Sequence, residues 1–472
     1  MQMPEGLGTI HIIGIGGIGM SAIAEILKAR GFAVQGSDQR DSANVKRLRN
    51  KGVPVFVGHD DTNLDGVAYV VISTAVKDHN PELIGARGRG IPIIRRAEML
   101  AELMRLYKPV SVTGTHGKTT TTSLAAHIFQ VTGRDPTVIT GGIINDWGSN
   151  ARLGRGDWMI VEADESDGTF VKIPTQIGIV TNIDPEHLDY FGTIAAMHAA
   201  YEAFYRGIPF YGLTVTCIDH PVVRDMVERL HLRRDGRRLV TYGLAEDADI
   251  RLTDVTVSGH QTRFSADVRA GVLGPARRLS DWVVPLPGEH VALNALAAFA
   301  AAAEAGLGDA DICSAMATFS GVKRRFQKTG EAAGITVVDD YGHHPIEIAA
   351  VLKAARAALD GRIIAVVEPH RYSRVQALFR EFCTSVQAAD VVLVAPLYAA
   401  GETPLVGITS EALAKGIADT GFATVEAMAS AEDIPSRIAA HARPGDTVIY
   451  FGAGYSTDWA HAAPERLKAL LG

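Results

Sequence analysis

The stretch VTGTHGKTTTTS, Val112 to Ser123, places a Gly-Lys-Thr-Thr run directly after a short apolar segment. Gly114 and Gly117 let the backbone turn tightly, so that successive N–H groups point at an anion. A helix opening at Lys118 adds the positive end of its dipole. The lysine can reach terminal phosphates, and the Thr119 hydroxyl is placed to bind a Mg²⁺ on them. The stretch therefore predicts an ATP-binding loop between a strand and a helix.

This loop is a shortened variant of the usual phosphate-binding motif. The standard pattern has a further glycine where Val112 stands, so the loop matches G-x-x-G-K-T. The alternative is an ordinary glycine turn at a helix start with a surface lysine. The apolar run before the loop and the helical pattern after it favour the phosphate loop.

Three times the chain begins again with an apolar run, a glycine turn and a helical pattern: TIHIIGIGG, PVSVTGTHG and ITVVDDYGHHP. Apolar runs that alternate with helices are typical of parallel strands buried on both faces. We therefore expect an α/β fold of three domains, with residues 1–107, 108–321 and 322–472. The outer two are expected to be Rossmann-like and the central one P-loop ATPase-like, with a small antiparallel side sheet near residues 249–284.

Composition narrows the class of protein. The chain has 472 residues, a net charge of −7 and 47% hydrophobic residues, which disfavours a nucleic-acid-binding surface. No apolar run reaches the ~18 residues of a membrane helix, and the N-terminus lacks a signal-peptide pattern. Cys217, Cys313 and Cys383 follow no metal spacing and are interpreted as reduced thiols. We expect a cytoplasmic protein with no nucleic-acid or membrane partner.

Two acidic clusters each follow an apolar run downstream of the phosphate loop. The first contains Glu162, Asp164 and Glu165, and the second contains Asp184, Glu186, His187 and Asp189. Open α/β sheets bind ligands at the carboxyl ends of their strands, and Mg²⁺ prefers oxygen ligands. The clusters predict a Mg²⁺ site. His187 suggests a second metal, although it could equally cap a turn.

A second glycine loop lies at the start of the chain, where Gly14, Gly16, Gly17 and Gly19 form G-x-G-G-x-G. Asp38 ends the next apolar run, about where an acid that binds a ribose belongs. The pattern predicts a diphosphate site suited to NAD, FAD or a nucleotide-diphosphate sugar. Because a separate triphosphate loop follows, activation of a nucleotide-linked substrate is favoured over hydride transfer.

Taken together, the motifs resemble the Mur ligase family, whose members use ATP to build the peptide stem of cell-wall precursors. The resemblance runs over nearly the whole chain through GIGGIGMSAIAE, RRAEML, GTHGKTTTT, EADESD, NIDPEHLDY, HVALNALAA, GVKRRF, DDYGHHP and EPHRYSR. It implies an N-terminal domain for the UDP-sugar, a central domain for ATP and a C-terminal domain for the amino acid. The implied reaction joins L-alanine to the carboxylate of UDP-N-acetylmuramate through an acyl phosphate.

The resemblance also implies roles for single residues. ATP would be bound by Gly114, Thr115, His116, Gly117, Lys118, Thr119, Thr120, His290, Asn294, Arg325 and Asp340. Mg²⁺ would be held by Thr119, Glu162 and His187, and catalytic roles fall to Lys118, His187, Arg325 and His344. The UDP-sugar and the amino acid would be bound by Gly16, Gly17, Ile18, Gly19, Asp38, Ser73, Arg96, Glu165, Ser166, His343, His344, His370, Arg371 and Arg374.

Some points stay open at this level. A histidine of the GHHP loop is a candidate base for the amine, and a loop-stabilising role is about equally compatible with the sequence. The helix after His187 contains no lysine, so we expect no carbamylated lysine at the metal site. FGAGYSTDW keeps the family's Gly-Ala-Gly and continues with Tyr455 and Ser456 near the expected amino-acid pocket.

Three rival functions remain: a recycling ligase that attaches a tripeptide to UDP-N-acetylmuramate, a nicotinamide-dependent oxidoreductase, and a catalytically silent nucleotide-sugar sensor. The oxidoreductase would leave GTHGKTT unexplained, and the acidic clusters disfavour the sensor. The protein is expected to be a monomer or a weak homodimer.

Overall fold

The N-terminal region forms a five-stranded parallel sheet with the strand order β3-β2-β1-β4-β5. The computed structural model describes residues 8–166 and 168–471, except for the side chain of Asp189. The strands of this sheet are β1 (Thr9–Ile13), β2 (Val34–Asp38), β3 (Val55–Val57), β4 (Val67–Ile72) and β5 (Ile93–Arg95). Its helices are α1 (Ile18–Ala29), α2 (Ala43–Asn50), α3 (Pro81–Gly88) and α4 (Arg96–Met104).

The central sheet has ten strands in the order β15-β14-β13-β12-β11-β10-β6-β9-β7-β8. They are β6 (Lys108–Thr113), β7 (Thr137–Ile144), β8 (Ser149–Arg152), β9 (Trp158–Glu162), β10 (Ile177–Val180), β11 (Leu213–Cys217), β12 (Arg238–Gly243), β13 (Ile250–Ser258), β14 (Gln261–Val268) and β15 (Arg277–Val284). The associated helices are α5 (Lys118–Val131), α6 (Leu188–Phe191), α7 (Ile194–Gly207), α8 (Pro221–Leu230), α9 (Glu289–Glu304) and α10 (Asp309–Ala317).

The register of the central sheet positions the site. β6 lies between β9 and β10 and is parallel to both, so the carboxyl ends of these strands lie side by side. These are the ends that carry the phosphate loop and the two acidic clusters, as the sequence predicts. The hairpin strands expected near residues 249–284 are β13 to β15. They extend this sheet at its edge through the pairing of β12 with β13.

The C-terminal region has a six-stranded sheet with the order β16-β17-β21-β18-β19-β20, parallel except for the β16–β17 pair. Its strands are β16 (Gln327–Ala332), β17 (Ile335–Asp340), β18 (Ile363–Val367), β19 (Val391–Val394), β20 (Val425–Ala427) and β21 (Thr447–Phe451). Its helices are α11 (Pro345–Ala358), α12 (Tyr372–Ala377), α13 (Phe379–Ser385), α14 (Ser410–Asp419), α15 (Ile434–His441) and α16 (Ser456–Leu471). β18 and β21 are buried throughout, because helices cover both faces of a parallel sheet.

The α/β fold class predicted from the sequence is confirmed. By packing, the chain divides into two compact units. The first contains the residues up to Thr253, Ser265–Trp282 and Leu293–Ser320, and the second contains Asp254–Phe264, Val283–Ala292 and the residues from Gly321 onward. The boundaries expected at residues 107 and 321 stay predictions.

Within the first unit, a buried polar network joins α1 to the β7–β8 hairpin. The Glu25 carboxylate accepts hydrogen bonds from Arg47 Nε (2.7 Å) and Ser149 Oγ (3.2 Å). The Asn150 side chain accepts from Arg47 Nη2 (2.9 Å) and donates to the Ile18 carbonyl (2.8 Å). One apolar cluster also runs from the N-terminal region into the central region. The helices of the first sheet and the edge of the second sheet therefore form one packed body.

None of the helices within the described ranges is long and apolar enough to cross a membrane.

Candidate active site

The N-terminal glycine loop closes on the carboxylate that was predicted to accompany it. Gly16 N donates to Asp38 Oδ2 (2.9 Å), and Gly14 has a left-handed backbone (φ +74°). Gly17 is the N-cap of α1, and the half-exposed Ile18 begins that helix. A Cβ built on Gly19 would lie 2.6 Å from Arg96 Nη1, so the glycine lets the arginine approach the loop.

Ser73 also lies near the residues of the N-terminal glycine loop. It directly follows β4, which neighbours β1 in the sheet, and is therefore at the same edge as the glycine loop. Two residues that sequence reasoning missed hold the loop backbone. Asn44 Nδ2 donates to Gly16 O (2.8 Å), and Asn150 Nδ2 donates to Ile18 O (2.8 Å).

In the phosphate loop, both glycines are required by the backbone and by close neighbours. Gly114 has φ +125°, and a Cβ there would lie 2.2 Å from Thr181 Oγ1. Gly117 has φ +83°, and its Cβ would lie 2.7 Å from Asn294 Oδ1. Asn294, expected at the ATP site, is thus brought against the loop.

Lys118 lies at the centre of this site. Its Nζ donates to Gly114 O (2.6 Å), Thr115 O (3.0 Å) and Glu165 Oε1 (2.8 Å). Burial alone would lower the pKa of Lys118, but the Glu165 and Asp164 carboxylates raise it above its ordinary value. Burial raises the pKa of Glu165, and the Lys118 ammonium opposes that rise. The lysine therefore carries a fixed positive charge at the mouth of the loop.

Of the expected metal ligands, Thr119 and Glu162 are brought together, whereas His187 lies beside Glu165, which was expected to bind the substrate. Thr119 Oγ1 donates to Glu162 Oε1 (2.9 Å) in the first turn of α5, where Thr120 is also buried. His187 Nε2 lies 3.7 Å from Glu165 Oε1. Ligand atoms of Asp164, Glu165 and His187 all lie within 4.8 Å of one another, and Ser166 N donates to Asp164 Oδ1 (3.0 Å). Hydroxyl and carboxylate oxygens are ligands that suit Mg²⁺, and the residues that would hold it stay predictions.

The segment after β10 holds the phosphate loop, and its role was not foreseen. Thr181 Oγ1 donates to His116 O (2.6 Å), and Asn182 Oδ1 accepts from His116 N (2.7 Å). Asp184 N donates to Thr115 Oγ1 (2.8 Å). The only sequence signal was the polar TNID run directly after an apolar strand.

Asp184, first grouped with the acidic metal cluster, interacts with two histidines. Its carboxylate oxygens lie 3.3 Å from His116 Nε2 and 3.1 Å from His220 Nε2. Burial raises the pKa of Asp184, but the hydrogen bonds from His116 and His220 outweigh this and hold the pKa far below its ordinary value. Asp184 is therefore a charged support for the loop.

In the second unit, Arg324 and Arg325 lie over the Tyr341 ring, with guanidinium-to-centroid distances of 4.6 Å and 5.2 Å. Arg324 (φ +63°) and Phe326 (φ +49°) are non-glycine residues with left-handed backbones on either side of Arg325. Such conformations cost free energy and persist where the surroundings enforce them. The backbone conformation thus fixes the direction in which Arg325 is presented.

The Asp340 carboxylate fixes the ends of two loops. It accepts hydrogen bonds from Phe326 N (2.9 Å) and Gly342 N (2.8 Å). Burial raises the pKa of Asp340 to about 6, against the opposing charge of Arg325. The observed contacts are structural, and the contact with the ATP ribose stays a prediction.

The two histidines of the GHHP loop differ in their surroundings. The buried His344 caps α11, with its Nδ1 accepting from Ile346 N (3.3 Å). His343 Nδ1 lies 3.0 Å from the Tyr341 carbonyl, which can only accept. The neutral His343 ring therefore carries its proton on Nδ1 and its lone pair on Nε2. This tautomer suits a proton acceptor.

The last group of predicted residues follows β18. Arg374 Nη1 donates to His370 Nδ1 (3.1 Å), and the His343 and His370 ring centroids are 5.3 Å apart. Arg371 has φ +67°, and its N–H donates to Tyr398 O (2.9 Å). The structure therefore brings His343, His370 and Arg374 together, and their contact with the substrates stays a prediction.

Stability should depend on pH through His290, which is partly buried beside Gly288. Burial and the charges of Arg325 and Lys353 lower the pKa of His290 to about 4. The unfolded chain, with a histidine pKa of about 6.5, then binds more protons than the folded chain between these values. The thermal midpoint should therefore fall as pH drops from about 6.5 towards 4. In His290→Gln, the fall over this window should be smaller than in the wild type. An unchanged pH profile would contradict this assignment.

With this geometry in place, comparison with known proteins identifies the family. Sequence models of the Mur ligase family match residues 9–108 (catalytic domain), 112–302 (middle domain) and 324–454 (glutamate ligase domain). A UDP-N-acetylmuramate–L-alanine ligase from Methylorubrum populi is 54% identical over 472 residues, covering 100% of both chains. The chain belongs to the Mur ligase family. The oxidoreductase considered from the first glycine loop is thereby set aside.

Solved structures of Mur ligases share the architecture. The UDP-N-acetylmuramate–alanine ligase from Thermotoga maritima is 28% identical, with a TM-score of 0.82 over 98% of this chain and 100% of that chain. A murein peptide ligase from Psychrobacter arcticus, 23% identical, has a TM-score of 0.69 over 98% of this chain and 100% of that one. The latter likeness shows the fold alone. The three-domain Mur ligase fold expected from the sequence is confirmed.

Proposed function

We propose that this ATP-dependent ligase joins L-alanine to the carboxylate of UDP-N-acetylmuramate, giving ADP and phosphate in peptidoglycan precursor synthesis. The observation that carries the proposal is the 54% identity, over the full length, to a ligase of that name. The reaction belongs in the cytoplasm, where ATP is available, and needs no nucleic-acid or membrane partner.

The first step activates the carboxylate, which is a poor acceptor for an amine. A carboxylate oxygen of the UDP-sugar bonds to the γ-phosphorus of ATP, and the bond from that phosphorus to the bridging oxygen breaks, releasing ADP. Charge on the phosphoryl oxygens is stabilised by the Lys118 ammonium and by the N–H groups of the loop. A Mg²⁺ held by Thr119 and Glu162, with His187 near a second, would neutralise further phosphate charge when bound.

The second step forms the amide. The amine nitrogen of L-alanine bonds to the acyl carbon, and the bond from that carbon to the phosphate oxygen breaks. The ammonium must first lose a proton. His343 Nε2 is better suited to accept it than His344, because His344 is buried and caps a helix. Arg371 and Arg374 supply positive charge for the alanine carboxylate.

The test is phosphate release from ATP with UDP-N-acetylmuramate and one amine at a time: L-alanine, glycine, L-serine or an L-Ala–γ-D-Glu–diamino-acid tripeptide. We expect release that requires the UDP-sugar, L-alanine and Mg²⁺ together. Release with the tripeptide alone would identify the recycling ligase instead. Absence of release with every pair would overturn the proposal. Sedimentation of the same sample tests whether the protein is a monomer or a weak dimer.

A further inference from the structure

A buried carboxylate fills the glycine turn that follows β21. Glu368, 2% exposed, comes directly after β18. Its side chain accepts hydrogen bonds from Gly454 N (2.9 Å), Tyr455 N (2.8 Å) and Ser456 N (3.4 Å). The carboxylate therefore ties the segment that continues to His370 to residues 452–456, where α16 begins.

In a Rossmann-like domain, a glycine turn before a helix commonly presents its N–H groups to a phosphate. Here the chain's own carboxylate takes that place. A Cβ on Gly452 would lie 2.5 Å from Glu368 Oε2, so the glycine leaves room for the carboxylate. The N–H groups of this turn are thus used for internal order.

The same turn supports a row of ring contacts, one edge-to-face and one stacked, that reaches His370. Tyr455 packs against Tyr398 with centroids 5.2 Å apart, and Tyr398 stacks on His370 at 5.3 Å with an interplanar angle of 21°. A Cβ on Gly454 would lie 2.6 Å from Tyr398 Cγ, so this glycine permits the close packing.

We propose that Glu368 is a positioning residue for the amine substrate. It holds residues 452–456 in place, so that Tyr455 supports Tyr398 and Tyr398 fixes the His370 ring beside Arg374. The inference rests on the proposed function, because it takes His370, Arg371 and Arg374 to contact L-alanine.

The expected effect follows from the buried donors. In Glu368→Ala, three N–H groups lose their acceptor, and a buried donor without a partner is unfavourable. The turn then moves to find other partners, and Tyr398 loses its support. Glu368→Gln keeps the side-chain shape and one carbonyl oxygen, which can still accept from Gly454 N and Ser456 N. Its NH2 group then faces Tyr455 N, a second donor, so the third bond is lost.

The test compares steady-state kinetics of the full-length variants. Glu368→Ala should raise the KM for L-alanine about tenfold or more, with the KM values for ATP and the UDP-sugar within about twofold of the wild type. Glu368→Gln, which keeps two of the three hydrogen bonds, should recover part of the L-alanine affinity. Asp446→Asn is the matched control. Asp446 is a buried carboxylate that accepts from Arg362 Nη2 (2.6 Å) and Arg443 N (2.8 Å) at the opposite ends of the same strands. It should lower stability without changing the KM for L-alanine.

Amide hydrogen exchange supplies a readout that does not depend on activity. Residues 369–374 and 452–459 should exchange faster in Glu368→Ala than in the wild type, and at wild-type rates in Asp446→Asn. If the wild-type protein is inactive with L-alanine, the proposed function is wrong. The hydrogen-exchange rates of the variants would still show whether Glu368 holds the segment around His370 in place. Unchanged exchange at 369–374 in Glu368→Ala, or equal KM changes in Glu368→Ala and Asp446→Asn, would overturn the inference.

Discussion

Lys118→Met should lower the rate of phosphate release by between about a hundredfold and a thousandfold, the range seen when one donor to a developing oxyanion is removed. The variant keeps the length and apolar stem of the side chain and removes only the charged group. Both loop carbonyls and Glu165 lose their shared donor at the same time. The rate of the chemical step should fall more than the affinity for the substrates, because the Lys118 ammonium is most needed where negative charge develops on the phosphoryl oxygens.

The measurement is single-turnover phosphate release with saturating substrates. Lys108→Met is the matched control, since Lys108 begins β6, the strand that leads into the loop, and its Nζ lies 3.8 Å from Asp157 and 5.8 Å from the Trp158 ring centroid. It should retain activity within about twofold. Comparable losses in both variants, or a change of less than tenfold in Lys118→Met, would remove Lys118 from the catalytic role.

Gly114→Ala should abolish the stabilisation of the protein by ATP. The added methyl would meet Thr181 Oγ1 at 2.2 Å and Asn182 O at 2.9 Å, and both belong to the segment that holds the loop. Neither neighbour can move without losing its bonds to His116. The loop must therefore deform, and its N–H groups no longer converge on a phosphate.

This result is measured as the shift of the thermal midpoint with ATP, since a ligand at a hundred times its Kd stabilises the folded state by about 2.7 kcal/mol. Gly133→Ala is the control. Gly133, just beyond the far end of α5, also has a left-handed backbone (φ +80°), but its Cβ would meet nothing within 4 Å. Both variants carry backbone strain, and only Gly114→Ala should lose the response to ATP. A normal ATP shift in Gly114→Ala would show that the loop does not bind the nucleotide as proposed.

The parts of the site that the sequence predicted are local. Gly114, Gly117 and Lys118 lie within one turn, and their spacing alone predicts a loop with inward N–H groups. Even the pairing of Thr119 with Glu162 follows from two strand ends that a parallel sheet brings side by side. The fold class was predictable for the same reason, since buried parallel strands have continuous apolar sequences.

The parts that were missed depend on contacts between distant segments. Asn182 and His220 contact the loop and its support because β6, β10 and β11 have a particular register, which no local pattern reveals. Glu368 is the first residue of EPHRYSR. A single glutamate before Pro-His-Arg carries no sign that it will be buried against a turn 86 to 88 residues away. Likewise, the sequence of β13 to β15 predicts a separate side sheet, because nothing in it indicates that β13 will pair with β12.

The network around Glu25 decides how parts of this enzyme can be exchanged with those of other Mur ligases. A chimera that joined residues 1–107 to a foreign central region would leave the Ile18 carbonyl and the Arg47 guanidinium facing an unrelated hairpin. Without an amide at the position of Asn150, each would lose a partner, at about 1–3 kcal/mol for a buried group left unsatisfied. Recombination should therefore succeed only when α1, α2 and the β7–β8 hairpin are inherited from the same parent.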